Sequence, residues 1–194
     1  HEPREIRPDA FQGDKLLVLI GTQAIHKSTI KYFQNFKDVE IITTSLLNEL
    51  RGGELDGMTY ADIKEQYPEI WKMREADKVG FRYPGAGGES YIDVMERIRP
   101  IIIELERQRR SILVVSHLAV QRCLYAYFNG CDVREIPYLE IHYHSVLELS
   151  MEPHETSERR VNLADCNPVS SEMPTHVSSY ARGQDRSSPT DRFR

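Results

Sequence analysis

The stretch Ser111-Ile-Leu-Val-Val-Ser-His-Leu-Ala-Val-Gln-Arg-Cys-Leu124 constrains the fold of this chain more than any other. An apolar, β-branched run passes through His117 directly into a helical pattern opened by small and apolar residues. Such a run reads as a buried strand of a parallel sheet. His117 therefore stands where a strand ends and a helix begins. Open α/β sheets bind ligands at that edge, and helix N-termini present free N–H groups to anions. A histidine there can serve as general acid or base, as nucleophile or as phosphate ligand. Taken alone, it can equally be a half-buried side chain bonded to a loop. Arg122, in the same helix, adds a guanidinium suited to two-pronged phosphate binding.

The rest of the chain builds around this junction. Leu16-Leu-Val-Leu-Ile20, closed by Gly21, reads as another buried strand. The helix behind it, opened by Thr22 or Ser28, carries Ile25, Thr29, Tyr32 and Phe33 at helical spacing. Val39-Glu-Ile-Ile-Thr43 is β-branched and strand-like. Residues 51–57 form a glycine-rich loop, and Thr59 then caps a short helix that Pro68 stops, with Tyr60, Ile63 and Tyr67 on one face. Residues 78–89 hold Gly80, Pro84, Gly85, Gly87 and Gly88 without any period, as a ligand-lining loop does. Ser90-Tyr-Ile-Asp93 resembles a capping box, and Val94, Ile98, Ile101 and Leu105 continue it as a helix. Pro100 predicts a kink or a break in that helix. Arg107 to Arg110 suit its C-terminus.

A helix from Ala119 to Phe128 ends at Asn129-Gly130, and Ile141 to Met151 alternates in part, as an edge strand does. The order strand, helix, strand, helix, helix, strand, helix, strand predicts an α/β fold: a mostly parallel sheet with helices on both faces. Residues 1–15 read as a polar lead-in, 16–151 as one domain, and 152–194 as a tail whose Ser, Arg, Pro, Asp and Thr predict disorder.

Composition narrows the function. A formal net charge of −5 argues against a nucleic-acid or membrane-surface binder. Cys123, Cys131 and Cys166 form no CxxC pair and no zinc-like grouping, so free thiols in a reducing compartment are expected, with no metal and no cofactor. No apolar run approaches the roughly 18 residues of a membrane span, and the charged N-terminus is not a signal peptide. A cytoplasmic protein is the expectation.

Ser116-His-Leu-Ala-Val-Gln-Arg-Cys-Leu-Tyr-Ala-Tyr-Phe128 closely resembles the second histidine motif of the bisphosphatase domain of 6-phosphofructo-2-kinase/fructose-2,6-bisphosphatase, in the histidine phosphatase (phosphoglycerate mutase-like) superfamily. The resemblance extends through Leu47-Asn-Glu-Leu50, Met58-Thr-Tyr60, Gln66-Tyr-Pro-Glu69, Arg82-Tyr-Pro84, Gly88-Glu-Ser-Tyr91, Glu104-Leu-Glu-Arg-Gln108 and Pro137-Tyr-Leu139. It implies a three-layer α/β sandwich and a phosphatase that acts on fructose 2,6-bisphosphate, giving fructose 6-phosphate and phosphate. In that family one histidine, in an Arg-His-Gly motif, becomes phosphohistidine. A second, here His117, holds the phosphoryl group, and a glutamate, here Glu49, protonates the leaving oxygen. Substrate contacts fall at Tyr67, Arg82, Tyr91 and Arg122, and the resemblance makes a kinase domain in a parent chain, or a homodimer, the expected partner.

The chain departs from the pattern. No Arg-His-Gly occurs in it, so the family's first strand has no counterpart. The family's phosphate-binding arginine falls at Ser28, beside Lys27, which becomes the candidate replacement cation. Leu118 stands where glutamine follows the second histidine, Gly85-Ala-Gly87 replaces a lysine, and Arg51 replaces an acid. The expectation is a bisphosphatase-like domain with weak or no turnover of its own, because removing the nucleophile removes the covalent route. The alternatives are a non-catalytic regulatory or dimerisation module that keeps part of the phosphate pocket, and another histidine phosphatase.

Overall fold

The structure, a computed structural model, describes residues 15–152 and 155–163. They form two compact units. One comprises the described residues up to Leu50 together with Ile92–Leu139; the other comprises Arg51–Tyr91 and the described residues from Glu140 onward.

The first unit is built on a three-stranded parallel sheet. Strands β1 (Leu16–Ile20), β2 (Val39–Thr43) and β3 (Ile112–Val115) lie in the order β2-β1-β3. Leu17 pairs with Glu40 on one side and Ile112 on the other, which fixes the register across all three strands. On one face Val18 and Ile20 pack with Ile30, against Leu16, Phe33, Val39, Ile41, Leu113 and Val115. Leu17 and Leu19 are equally buried although they point to the opposite face, so that face is covered too. Each such aliphatic side chain contributes about 1.5–3 kcal/mol by leaving water. The result is the α/β fold read from the sequence, a parallel sheet flanked by helices.

Three details of this unit differ from the sequence reading. Helix α1 (Ala24–Thr29) turns His26 inward, in step with Ile30 four residues on, whereas Ile25 is 44% exposed. The inward stripe is therefore one residue out of phase with Ile25 and Thr29. Pro100 neither breaks nor splits its helix: after helices α2 and α3 of the second unit, α4 runs unbroken over Tyr91–Arg107. Pro100 sits on the exposed face, as does Glu96 one turn earlier, whose carbonyl water can satisfy. Strand β3 is apolar throughout yet only half-buried, and among the described residues it pairs with β1 alone. Helix α5 (Leu118–Asn129) follows β3 and ends at Gly130, whose φ of 63° is the left-handed conformation glycine tolerates best.

The second unit holds helix α2 (Tyr60–Gln66), helix α3 (Pro68–Ala76) and the antiparallel pair β4 (Ser145–Glu152) and β5 (Glu155–Asn162). Thr59 and Asp62 close a reciprocal capping box on α2. Pro68 stops α2 as expected, but it also opens α3, because its fixed φ and missing N–H suit the first helical position. Strand β5 corrects the expectation of disorder from 152 onward: Arg159 pairs with Glu148 across the ladder, and the two strands satisfy one another's backbone. The rest of that tail, from 164, and most of the lead-in lie outside the described residues, as does Cys166.

Candidate active site

The site grows from the carboxyl ends of β1 and β3. Beyond β1 the chain turns at Gly21, and Thr22 and Asn48 hold each other: the Thr22 N–H donates to Asn48 Oδ1 at 2.8 Å and Asn48 Nδ2 donates to Thr22 Oγ1 at 2.8 Å. This brings the Asn48-Glu49 segment beside the strand ends. Arg97 of α4 pins the same segment from below, its Nη1 donating to the carbonyls of Leu46 at 2.5 Å and Asn48 at 3.0 Å. Beyond β3, His117 is the N-cap of α5 but forms no side-chain cap bond. Glu49 supplies it instead: its Oε1 accepts the Ala119 N–H at 3.3 Å and the Leu50 N–H at 2.8 Å. An acceptor placed there meets free N–H groups and the positive end of the helix dipole.

Glu49 and His117 face each other, with Glu49 Oε2 3.9 Å from His117 Nδ1, a proximity rather than a hydrogen bond. Burial raises the Glu49 carboxyl above its ordinary value, against the Leu50 and Ala119 N–H groups and the charges of Arg97 and Arg122. Burial also pulls the His117 imidazole down to about 4, helped by neighbouring His26. A carboxyl biased toward its acid form can give a proton to a leaving oxygen, and a neutral imidazole can donate from one nitrogen and accept at the other. That is acid–base chemistry beside an anion-favouring helix end.

Arg122 lies on α5 with its Nε donating to the Leu139 carbonyl at 2.8 Å, and its charge reaches Glu49. Lys27 is exposed on α1. From the same helix it is His26 that meets His117, ring centroids 4.6 Å apart and planes at 79°. Arg82 (exposed), Tyr67 (exposed) and Tyr91 (half-buried) belong to the second unit. In that unit Arg51 pairs with buried Glu89 of the Gly88-Glu-Ser-Tyr motif, through its Nη2 at 3.3 Å and its backbone N–H at 3.1 Å. Arg74 lies over the Tyr60 and Trp71 rings and donates to the Tyr83 hydroxyl, which burial pushes up to about 12. Among the described residues, no group of three or more His, Cys, Asp or Glu is placed to hold a metal ion. Nor is any helix among them long and apolar enough to cross a membrane.

Two contributors were not singled out from the sequence. Arg97 occupies a slot in the apolar stripe Val94, Ile98, Ile101, and a charge in such a slot marks a buried polar task. His26 stands one turn before buried Ile30, which was the available signal.

The sequence profile of the Histidine phosphatase superfamily (branch 1) matches residues 26–164, well over half of the chain. The chain belongs to the histidine phosphatase superfamily. Among curated relatives of this superfamily member, the 6-phosphofructo-2-kinase/fructose-2,6-bisphosphatase of Arabidopsis thaliana is 46% identical over 119 residues, 61% of the chain and 16% of that protein. The fructose-2,6-bisphosphatase of Saccharomyces cerevisiae is 40% identical over 137 residues, 69% of the chain and 30% of that protein. The chain thus spans less than a third of the length of either relative. The fold is shared with a mycobacterial glucosyl-3-phosphoglycerate phosphatase (TM-score 0.60, 23% identity, 76% of each chain). It is shared as well with the alpha-ribazole phosphatase of Shigella flexneri (TM-score 0.64, 18% identity, 75% of this chain and 72% of that one).

Proposed function

We propose that this chain is a fructose-2,6-bisphosphatase-like domain of a bifunctional 6-phosphofructo-2-kinase/fructose-2,6-bisphosphatase. It binds fructose 2,6-bisphosphate, or fructose 6-phosphate and phosphate, and has little or no turnover of its own. The observation that carries this reading is the half-buried Glu49 carboxyl set between His117 and the α5 N-terminus, a proton donor beside an anion seat. Relatives bearing the kinase and bisphosphatase names, 40–46% identical, supply the sugar bisphosphate as the substrate class. His117 holds the phosphoryl group and Glu49 is the acid. Arg122, Arg82, Tyr67 and Tyr91 are the substrate contacts, with Lys27 as a peripheral cation. The site of action is the cytoplasm, with a kinase domain as the partner in the parent chain or a second copy in a homodimer.

The missing Arg-His-Gly motif favours a second reading, a regulatory or dimerisation module that retains the pocket without catalysing. One experiment separates the two. Fructose 2,6-bisphosphate labelled in the 2-phosphate is incubated with the chain while phosphate and fructose 6-phosphate binding are measured by calorimetry. Binding that weakens in Arg122→Ala, with slow turnover measurably above background, fits a bisphosphatase-like site short of its nucleophile. Binding without any turnover identifies the regulatory module. Rapid hydrolysis, or a phosphohistidine trapped on this chain, refutes the proposed inactivity.

A further inference from the structure

His26 carries no role in the family pattern, yet it is the most enclosed polar side chain of the first unit. It is 2% exposed, and among the described residues neither ring nitrogen has a hydrogen-bond partner. The Nε2 of His117, the ring against which it stands edge-on, is likewise buried and unbonded, as is the hydroxyl of Ser116 just before it. Buried polar atoms left unpaired cost about 1–3 kcal/mol each. Three of them on two touching rings mark a place shaped for something other than packing. Gly21 makes the room: a Cβ there would stand 2.3 Å from His26 Cε1 and 2.5 Å from His26 Nδ1.

We propose that His26 and His117 form a two-imidazole clamp for the phosphate of a phosphomonoester, with His26 as the inner contact group. The inference rests on the reading of this site as a phosphate seat and adds to it the residue that replaces the missing guanidinium. The ligand is an anion rather than a cation for two reasons. No third metal-ligating side chain completes a cation site among the described residues, and the charges of Arg97 and Arg122 both reach the Glu49 carboxyl that borders the pair. His117, with about a fifth of its side chain exposed, is the solvent-side jaw, and His26 is the inner one. The groups facing the pair are Glu49 and, at the rim of Gly21, the Asn48 amide; the Gln23 carbonyl accepts the His26 backbone N–H and favours the protonated His26 ring, against the larger effect of burial. Burial keeps both imidazoles below their ordinary values, so a phosphate dianion seated against the free nitrogen edges of the two touching rings draws protons onto them from solvent. Each ring then donates to a phosphate oxygen, a charge-assisted bond that neither makes in isolation.

The test uses the full 194-residue chain, labelled with 15N, and inorganic phosphate. Imidazole nitrogen resonances are followed by long-range proton–nitrogen correlation at pH 7, and proton uptake by calorimetry in buffers of different ionisation enthalpy. Phosphate should move the ring nitrogens of both histidines toward the imidazolium position and be bound with net proton uptake. His26→Phe should weaken phosphate about tenfold or more and lower the uptake, and His26→Gln serves if the Phe variant does not fold. Movement of His117 alone, with wild-type affinity in the His26 variant, overturns the clamp while leaving the phosphate seat at His117 intact. Absence of any phosphate effect on His117 in the wild-type chain overturns the seat and the clamp together.

Discussion

The depressed imidazole of His117 makes the stability of this chain depend on pH in a way whose sign and size can be worked out. In the unfolded chain the ring titrates near 6.5, and in the folded one near 4. The folded value lies below the unfolded value, so the unfolded state takes up the proton first as pH falls. The contribution of neutral His117 is therefore fully present above 6.5 and is lost between 6.5 and 4. Integrated over this window, the loss is about 2 kcal/mol from pH 7 to pH 5 and about 3 kcal/mol by pH 4. Against a typical domain stability of about 5–15 kcal/mol, that is a large share.

Two neighbours modify the slope. His26, also lowered by burial, adds to the loss in acid. Glu49 opposes it: its folded carboxyl binds a proton before the unfolded one does, which favours the folded state as pH falls toward the ordinary carboxylate range. Urea unfolding followed by far-UV circular dichroism at pH 7, 6 and 5, at constant ionic strength, isolates His117 when wild type is compared with His117→Phe. The stability of wild type relative to the variant should drop by about 2 kcal/mol between pH 7 and pH 5. A difference that stays constant across this range would falsify the assignment of a buried, neutral imidazole at this position.

Gly21→Ala puts a methyl 2.3 Å from His26 Cε1 and 2.7 Å from Asn48 Oδ1, and should destabilise the first unit by about 1–3 kcal/mol, seen as a lower melting temperature. Arg97→Met removes the donors that hold the Leu46 and Asn48 carbonyls, at a cost of about 1–3 kcal/mol; the urea midpoint should fall, and phosphate affinity with it as Glu49 loses its anchor. Thr59→Ala deletes one half of the capping box and should cost about 1 kcal/mol, with unchanged phosphate binding at His117; a larger loss would mean that Thr59 does more than cap α2.

The strands and α5 were legible because their signals are local. A five-residue apolar run ending in glycine, and a helix closed by Asn129-Gly130, leave little choice of conformation. The phase of α1 was not legible, because a helix of six residues offers barely two turns of pattern. Exposed Ile25 and inward His26 also invert the usual ranking, and hydropathy alone votes for the wrong stripe. Helix α3 was hidden behind Pro68, which can be read as a stop from the left and as a start from the right. Strand β5 was hidden in a polar tail, because a strand whose described side chains are nearly all exposed needs no apolar alternation, only a partner. At the site, the Glu49–His117 juxtaposition followed from family motifs rather than from spacing, since the two residues are far apart in sequence. Arg97 and His26 become visible only when the question is which polar side chain occupies an apolar slot.

The half-burial of β3 bears on how the site is held. A strand reading Ile-Leu-Val-Val has the composition of an interior strand, yet all four residues are only partly covered and β1 is its one partner among the described residues. An edge strand alone is a poor platform for a side chain that must be fixed to a fraction of an ångström. The position of His117 is instead set from the far side of the junction. Glu49 binds the first turn of α5, Arg97 fixes the backbone of the Glu49 segment, and the Thr22–Asn48 pair ties that segment to the end of β1. Gln121 adds a further tie, donating from Nε2 to the Ser116 carbonyl at 2.9 Å. The polar clamp therefore does for this site what a second neighbouring strand does for an interior one. It also explains why charged residues are drawn half-way into the first unit, where their burial is compensated bond by bond.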